Sequence, residues 1–339
     1  MSRVLVMMSG GVDSSVAAAL LRDEGHDVTG VTLKLWGGDS DSGCCSVGDV
    51  EDARRVAAQL DIPHYVFNFS DAFDAHVVEP YVDAYAAGTT PNPCVECNRT
   101  MKWGRAFERA HQLGFDFVAT GHHARVVATG DGPALARGLD RAKDQSYVLY
   151  MLGPEQLAHT LLPIGELTKA EVREHAHALG LRTAAKRESM DVCFITRNGR
   201  EAFLGARIPR RGGRIVDTNG GPVGTHDGID AFTIGQRRGV NVAVGERRYV
   251  VDISAVDATV TVGPHDALLR DRVRLRDARF ARALPVEMTV QTRAHSTPTP
   301  ARLDGDDVVF ATPQPRVAPG QVVACYDGDV CCGGGIAAA

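Results

Sequence analysis

The sequence has no apolar run that approaches the roughly 18 residues of a membrane-spanning helix. Its first residues, MSRVLVMMSGG, lack the longer apolar core and the small-residue cleavage site of a secretion signal. Internal repeats and low-complexity tracts are also missing, and the 36 glycines and 16 prolines are spread along the chain. These absences exclude membrane-embedded, secreted and disordered classes, and we expect a cytoplasmic globular protein. Its 339 residues are enough for two or three domains.

The chain carries no large excess of charge of either sign. The 37 lysines and arginines against 42 aspartates and glutamates give a net charge of −5. Residues 186–248 nevertheless hold 12 basic and 7 acidic residues, a local charge of +5. A local basic patch can neutralise phosphates on an otherwise acidic protein. On charge alone, a solvated basic face is the simpler interpretation.

Eight cysteines are present, at positions 44, 45, 94, 97, 193, 325, 331 and 332. In a chain of this length without a secretion signal, a framework of structural disulfides is not expected. These residues are therefore core thiols, metal ligands or reactive groups. We assign no function to the five that lie outside recognisable motifs, which are Cys44, Cys45, Cys325, Cys331 and Cys332.

Strand and helix patterns alternate through the first two-thirds of the chain, which predicts an α/β domain with a parallel sheet covered by helices. We expect a turn-rich loop over 88–100 and a helix from Met101. After about residue 200 the pattern changes to short strands and Gly-rich turns, which is typical of all-β structure. The sequence thus predicts a catalytic α/β domain over 1–200, a small β-rich domain over 201–262 and a C-terminal β-barrel over 263–339.

The most specific motif is Ser9-Gly10-Gly11-Val12-Asp13-Ser14-Ser15, directly after the first predicted strand and at the start of a helix. Glycines let several backbone N–H groups face one anion, and the helix N-terminus adds its positive dipole end. The loop is not a Walker A motif, because that motif requires a lysine that is absent here. The motif therefore predicts a phosphate site, although a Gly-rich turn with polar helix caps is the alternative.

Three cysteines lie in motifs of the α/β domain. Cys94 and Cys97 form a CxxC pair in a proline-stiffened stretch before a predicted helix, where Arg99 and Lys102 can lower a thiol pKa. Cys193 follows the basic pair Lys186-Arg187. Three thiols together with a phosphate loop favour sulfur transfer over amide formation.

The loop resembles the PP-loop of ATP pyrophosphatases, and the whole set of motifs resembles the tRNA-specific 2-thiouridylase family. The matching pieces span nearly the full chain and include SGGVDSS, TPNPxxxCN, ATGHHAR, KDQSY, ESxxxCFI, GQRRG and PGQ…GGGI. The resemblance implies that ATP, with Mg²⁺, adenylates the C2 oxygen of the wobble uridine in tRNA. A protein persulfide then supplies sulfur, which gives 2-thiouridine, AMP and pyrophosphate.

The resemblance also implies the site residues. It makes Cys97 the nucleophile and Cys193 the persulfide carrier. ATP contacts are implied for Met7, Met8, Ser9, Gly10, Gly11, Val12, Asp13, Ser14, Leu33 and Gly121. Contacts to tRNA and the target base are implied for Asn92, Pro93, Cys94, His122, Lys143, Asp144, Gln145, Arg293, Ala294 and Gln321.

Two positions depart from the family pattern. Cys94 stands where the family usually has aspartate, and Ala294 replaces an aromatic that could stack on RNA. A shifted thiol can act as an acid or base. The change also opens an alternative in which Cys94, Cys97 and Cys193 hold a [4Fe–4S] cluster, as in some related thiolases. A zinc site at the CxxC lacks an evident second ligand pair.

Two other functions compete with tRNA thiolation. One is a different adenylating synthetase of the PP-loop group, which would not need Cys97 or Cys193. The other is an inert tRNA-binding protein with a disused nucleotide loop. We expect tRNA and a sulfur donor protein as partners, no membrane partner, and a monomer.

Overall fold

The computed structural model describes residues 1–36, 47–187, 192–195, 199–240, 242, 245–294 and 296–339. Cys44 and Cys45 lie outside the described residues. The strands of the α/β part are β1 (Arg3–Met7), β2 (Asp27–Lys34), β3 (His64–Asn68), β4 (Phe117–Thr120), β5 (Ala124–Thr129), β6 (Gly132–Arg137) and β7 (Thr160–Leu161). Its helices, up to residue 205, are α1 (Val12–Asp23), α2 (Val47–Gln59), α3 (Ser70–Phe73), α4 (Glu79–Ala86), α5 (Pro93–Glu96), α6 (Phe107–Gln112), α7 (Pro154–Ala158), α8 (Lys169–Ala178) and α9 (Gly199–Gly205).

Five strands form the parallel sheet, in the order β3-β2-β1-β4-β7. Strands β1 and β2 are almost wholly buried, as expected for a parallel sheet with helices on both faces. Helix α1 packs closely because Ala17, Ala18 and Ala19 are fully buried. The predicted α/β sheet is confirmed.

The helix that carries the CxxC pair begins earlier than the sequence analysis expected. Helical structure starts at Pro93, runs through a π-helical stretch over Cys97–Ala106 and continues as α6, so the prediction of a loop up to residue 100 is wrong. Asn92 caps this helix by accepting a hydrogen bond from the Cys94 N–H at 3.0 Å. Proline is favoured at the first helical position, since its missing N–H would have no partner there.

The chain after residue 205 consists mainly of strands, which are β8 (Gly213–Asp217), β9 (Pro222–His226), β10 (Tyr249–Ser254), β11 (Thr259–Gly263), β12 (Leu269–Phe280), β13 (Met288–Gln291), β14 (Thr299–Asp304), β15 (Asp307–Pro315), β16 (Val322–Asp327) and β17 (Val330–Ala337). Four of them form a sheet in the order β10-β11-β8-β9. Six others, in the order β12-β15-β14-β13-β16-β17, close into a barrel through the β12–β17 pairing. The predicted β-barrel is confirmed, whereas the exact domain boundaries stay a prediction.

A hairpin of the α/β part joins the barrel. Strands β5 and β6 pair with each other, and β6 pairs with β17 at Ala136 and Val330. The N–H of Arg137 also donates to the Asp329 carbonyl at 2.9 Å. This hairpin was not predicted, and it fixes the barrel beside the carboxyl ends of the parallel strands. No helix within the described ranges is long and apolar enough to span a bilayer.

Candidate functional site

A cavity of about 1040 Å³ opens where the strands of the parallel sheet end, the usual ligand position in open α/β sheets. The predicted site residues that line it are Met7, Met8, Ser9, Gly11, Val12, Asp13, Ser14, Leu33, Asn92, Pro93, Cys94, Cys97, Gly121, His122, Lys143, Asp144, Gln145, Cys193, Arg293, Ala294 and Gln321. Gly10 does not line the cavity. The structure therefore brings together motifs from the α/β part and the barrel that are up to 314 residues apart.

The loop between β1 and α1 depends on glycine at two points. Gly10 has φ +72°, and a Cβ there would lie 2.2 Å from the Asp49 carbonyl oxygen. Gly121, just after β4, faces the same loop, since a Cβ there would lie 2.5 Å from the Ser14 nitrogen. Ser14 in turn accepts a hydrogen bond from the Ser9 N–H at 3.1 Å. A side chain at Gly10 or Gly121 would push the loop out of position.

Asp13 is the charged group of the loop, and it is held as an ionised carboxylate. Burial raises its pKa, but hydrogen bonds from His123 and Lys169 outweigh that effect and lower the pKa below its ordinary value. Lys169 Nζ lies 2.6 and 2.7 Å from the two carboxylate oxygens, and His123 Nε2 lies 3.4 Å from one of them. Lys169 was not among the predicted site residues.

A second lysine holds the outer side of the loop. Lys186 Nζ donates to the Gly10 carbonyl at 2.9 Å, to Asp49 at 2.6 Å and to Asp52 at 2.7 Å. Burial lowers its pKa, but the hydrogen bonds and charges of the two aspartates raise it above the ordinary value. The sequence showed Lys186 only as half of a basic pair. Its partners lie 134 to 176 residues away, and no local pattern identifies them.

The three motif cysteines line the same cavity as the phosphate loop. Cys94 sits in the first turn of α5 and is half-buried, whereas Cys97 is buried at the start of the π-helical stretch. Cys193 is half-buried, and its neighbour Phe194 packs against Trp36, Phe73, Tyr81 and Phe203. This aromatic cluster anchors the backbone next to Cys193 at the cavity wall.

His122 is buried and neutral. Burial lowers its pKa well below the ordinary value, and the nearby charge of Lys102 lowers it further. Lys102 Nζ lies 3.3 Å from Nε2, and a lysine ammonium can only donate, so Nε2 is the acceptor. Nδ1 therefore carries the proton and donates to Thr120 Oγ1 at 2.7 Å. His122 thus fixes the position of Lys102, which also lines the cavity.

Hydrogen bonds of Asp144 and Gln145 tie the stretch Lys143–Gln145 to the rest of the fold. The Asp144 carboxylate is buried and accepts hydrogen bonds from Arg137 at 3.2 Å, from the Gly138 N–H at 2.9 Å and from Ser146. Gln145 is exposed and accepts from the His123 N–H at 3.0 Å. Lys143 is half-buried at the cavity wall. Asp144 therefore supports this loop through hydrogen bonds, and its contact to RNA stays a prediction.

The barrel reaches the cavity through two loops. Gln321 Nε2 donates to the Thr90 carbonyl at 2.6 Å, and the Thr90 N–H donates to the Pro319 carbonyl at 2.8 Å. These bonds hold the barrel against the stretch that precedes Asn92. Arg293 and Ala294 are both exposed at the cavity wall.

The remaining thiols belong to the barrel core. Cys325, Cys331 and Cys332 are buried free thiols, and burial raises the pKa of Cys325 to about 12. Such thiols are poor nucleophiles because little thiolate forms near neutral pH. Within the described ranges, no group of three or more His, Cys, Asp or Glu side chains is arranged to hold a metal ion.

The fold and the loop define a PP-loop α/β protein joined to a C-terminal β-barrel. Family models cover nearly the whole chain: a tRNA methyl transferase HUP domain matches residues 2–197, a tRNA methyl transferase PRC-barrel domain matches 201–264, and an aminomethyltransferase beta-barrel domain matches 270–337.

Among relatives, the chain is 47% identical over 368 residues to the tRNA-specific 2-thiouridylase MnmA of Roseiflexus sp. (strain RS-1), covering 99% of each chain. It is 47% identical to the protein of that name from Chloroflexus aggregans, covering 99% of this chain and 98% of the relative. The relative of that name from Desulforamulus reducens is 44% identical, with 98% and 96% covered. The chain belongs to the tRNA-specific 2-thiouridylase family, which confirms the resemblance found in the sequence.

Proposed function

We propose that this chain is a tRNA sulfurtransferase that replaces the C2 oxygen of the wobble uridine with sulfur. The observation that carries the proposal is that Cys97 and Cys193, 96 residues apart, line one cavity with the Ser9–Ser14 loop. The names of its relatives support the same reaction. We also propose a cytoplasmic location and a monomeric state.

In the first step, the C2 oxygen of the uridine attacks the α-phosphate of ATP, and pyrophosphate leaves. The backbone N–H groups at the start of α1 are suited to hold that pyrophosphate. Lys169 and Lys102 line the same cavity and can neutralise phosphate charge. Asp13, whose two oxygens accept from Lys169 in this structure, is the carboxylate that would exchange Lys169 for the Mg²⁺ that accompanies ATP, because Mg²⁺ prefers phosphate oxygens and one or two carboxylates.

In the second step, sulfur displaces AMP. Cys193 carries the outer sulfur as a persulfide, delivered by a sulfur donor protein. The Cys97 thiolate attacks the inner sulfur of that persulfide, which releases hydrosulfide and leaves a Cys97–Cys193 disulfide. Hydrosulfide attacks C2, AMP leaves, and 2-thiouridine forms. An external thiol must reduce the disulfide before the next turnover.

The target base has to leave its stack to reach such a cavity. We assign Asn92, Pro93 and Cys94 to the base site, Leu33 and Gly121 to the nucleotide, and Lys143, Gln145, Arg293 and Gln321 to the RNA. Asn92 donates through Nδ2 to the hydroxyl of Tyr147, which fixes its orientation. Cys94, in the place of the usual aspartate, lies at this base site.

The methyl transferase wording of the family models suggests a different reaction. A methyl transfer requires an activated methyl donor, and it needs neither ATP cleavage at a phosphate loop nor a thiol that carries sulfur. The thiolase proposal makes use of both. It therefore accounts for more of the cavity than methyl transfer does.

The test is thiolation of tRNA by Cys97→Ser and Cys193→Ser, with Cys332→Ala in the barrel as the control thiol. Mass spectrometry of tRNA nucleosides should show 2-thiouridine with the wild type and the control only. Pyrophosphate release with tRNA should persist in the two serine variants, because adenylation precedes sulfur transfer. If Cys193→Ser still forms 2-thiouridine, the proposed persulfide carrier is wrong.

The cluster alternative makes a separate prediction. A [4Fe–4S] cluster requires Cys94 as well as Cys97 and Cys193, whereas the persulfide route requires only the latter two. Iron analysis and visible absorption of anaerobically purified protein distinguish them. Iron that is stoichiometric in the wild type and lost in Cys94→Ser would replace the persulfide route with the cluster.

A further inference from the structure

A second, smaller cavity of about 430 Å³ lies beside the main cavity, and we name it the side cavity. Three of its lining residues, Arg200, Arg293 and Gln321, also line the main cavity. The others come from Thr233–Gln236, from Thr292 and from the Val317–Ala318 segment of the barrel. The side cavity therefore lies where the α/β part, the four-stranded sheet and the barrel meet.

The lining of the side cavity combines apolar side chains with two arginine guanidinium groups. Ile234, Val317 and Ala318 are buried apolar residues. The Arg200 guanidinium donates to the Tyr85 hydroxyl at 3.1 Å, which fixes its position. Arg293 is exposed, and one of its terminal nitrogens would lie 3.4 Å from a Cβ at Gly235. Guanidinium groups together with apolar side chains are suited to a flat heteroaromatic ring.

The charge around the side cavity is suited to an anion. None of its ten lining residues is acidic, and two are arginines. The turn that supplies Gln236 continues into Arg237 and Arg238, which are both exposed. No ion pair links either arginine to another described residue. A ring in the side cavity would thus have its attached phosphate next to cationic side chains.

We propose that the side cavity binds a second nucleobase of the RNA substrate, that of a nucleotide directly adjoining the target uridine. This inference rests on the proposed function, since it requires the target base to occupy the main cavity. A base that is everted from a single-stranded loop leaves its neighbours unstacked, and unstacked bases bind to aromatic or guanidinium planes. The two cavities share three lining residues and therefore adjoin, which is the arrangement that neighbouring nucleotides require.

A consequence is that substrate choice does not depend on the reacting base alone. Uridine is common in RNA, so a cavity for the target base cannot by itself select one position. A second base read by Thr233 and Thr292 would add sequence information next to the reaction site. Hydroxyl groups can accept from or donate to a base edge, which suits several bases to different degrees.

The test uses binding to anticodon stem-loop RNAs in which one nucleotide next to the target uridine is abasic, either on the 5′ or on the 3′ side. For the wild type, one of the two abasic RNAs should bind about 5- to 150-fold more weakly than the intact RNA, the range for loss of one stacked base. In Arg293→Met that penalty should shrink, because the guanidinium plane is gone. In Arg302→Met, an exposed arginine on β14, the penalty should stay complete.

Two outcomes overturn the inference: neither abasic RNA binds more than twofold more weakly, or Arg293→Met keeps the full penalty. The abasic change alters only the RNA, so the first comparison does not depend on the folding of a variant. Thiolation of the intact stem-loop is measured in parallel. Normal thiolation with no abasic penalty would reject the side cavity alone, whereas absent thiolation would reject the proposed function itself.

Discussion

Lys186 offers the sharpest test of how the phosphate loop is held. Lys186→Met keeps the length of the side chain but removes its charge and three donated hydrogen bonds, to Gly10, Asp49 and Asp52. Removal of one partner from a buried ion pair costs about 3–5 kcal/mol. The Lys186 side chain is 30% exposed and those of the aspartates 14% and 23%, so water screens part of the interaction. We therefore expect a loss of about 2 kcal/mol in the free energy of unfolding.

The same change should weaken ATP binding, because two aspartates are left without their shared cation beside a loop that binds an anion. A tenfold rise in KM for ATP corresponds to about 1.4 kcal/mol, and we expect a rise of roughly that size. Because the pKa of Lys186 is raised, its contribution is complete below the ordinary lysine pKa of 10.5 and is lost only as the pH rises through the folded value. Assays near pH 7.5 therefore report the whole effect.

Urea unfolding and ATP-dependent pyrophosphate release measure the two effects separately. Lys186→Arg should recover most of both, since it keeps the charge. Arg182→Met is the matched control, because Arg182 also pairs with Asp52, at 3.3 Å, but is about half exposed. It should lose less than about 1 kcal/mol. If Arg182→Met costs as much as Lys186→Met, or if Lys186→Met leaves KM unchanged, the assigned role of Lys186 is wrong.

Three further predictions concern stability. Gly121→Ala should cost about 1–3 kcal/mol by urea unfolding, since its Cβ has no room beside the α1 backbone, whereas Gly130→Ala, with open space, should be nearly neutral. Because the pKa of buried His122 is lowered, its contribution to the free energy of unfolding is complete above pH 6.5 and decreases below it, by at most about 1.4 kcal/mol per pH unit. The free energy of unfolding of His122→Asn should therefore change less between pH 7.5 and 5.5 than that of the wild type. An identical change in both proteins would contradict the assignment. Arg137→Met removes the buried cation that pairs with Asp144 and should cost about 3–5 kcal/mol in urea or thermal unfolding. Arg302→Met, at an exposed ion pair, should cost far less, and equal losses would contradict the role of Arg137.

The sequence predicted those features whose signal is local. The phosphate loop and the alternation of strand and helix patterns each depend on residues that are close together in the sequence. The structure adds a capping box of the same local kind at the start of α8, where Thr168 and Glu171 exchange hydrogen bonds in both directions. The early start of the helix at Pro93 also had a local signal, Asn92 followed by proline, but the second proline nearby favoured a loop.

The features that the sequence analysis missed depend on partners far along the chain. The sequence shows Lys186 only as one half of a basic pair. Its partners Asp49 and Asp52 lie more than 130 residues earlier, and only the fold brings them beside it. The β5–β6 hairpin has a Gly-Asp-Gly turn at 130–132, yet its role follows from β17, almost 200 residues later. The burial of Asp144 also had no local signal, because three polar residues in a row carry no information on burial.

The pairing of β6 with β17 joins the α/β part and the barrel through one continuous sheet. Ala136 and Arg137 extend the barrel sheet, and the Arg137 guanidinium lies 3.6 Å from the centre of the Tyr326 ring. A truncated chain that ends near residue 200 would expose the edge of the β5–β6 hairpin. It would also remove the Tyr326 ring from the Arg137 guanidinium. Such a fragment should aggregate rather than survive as a smaller enzyme. Both parts also line the main cavity, so loss of the barrel would remove part of the substrate site itself.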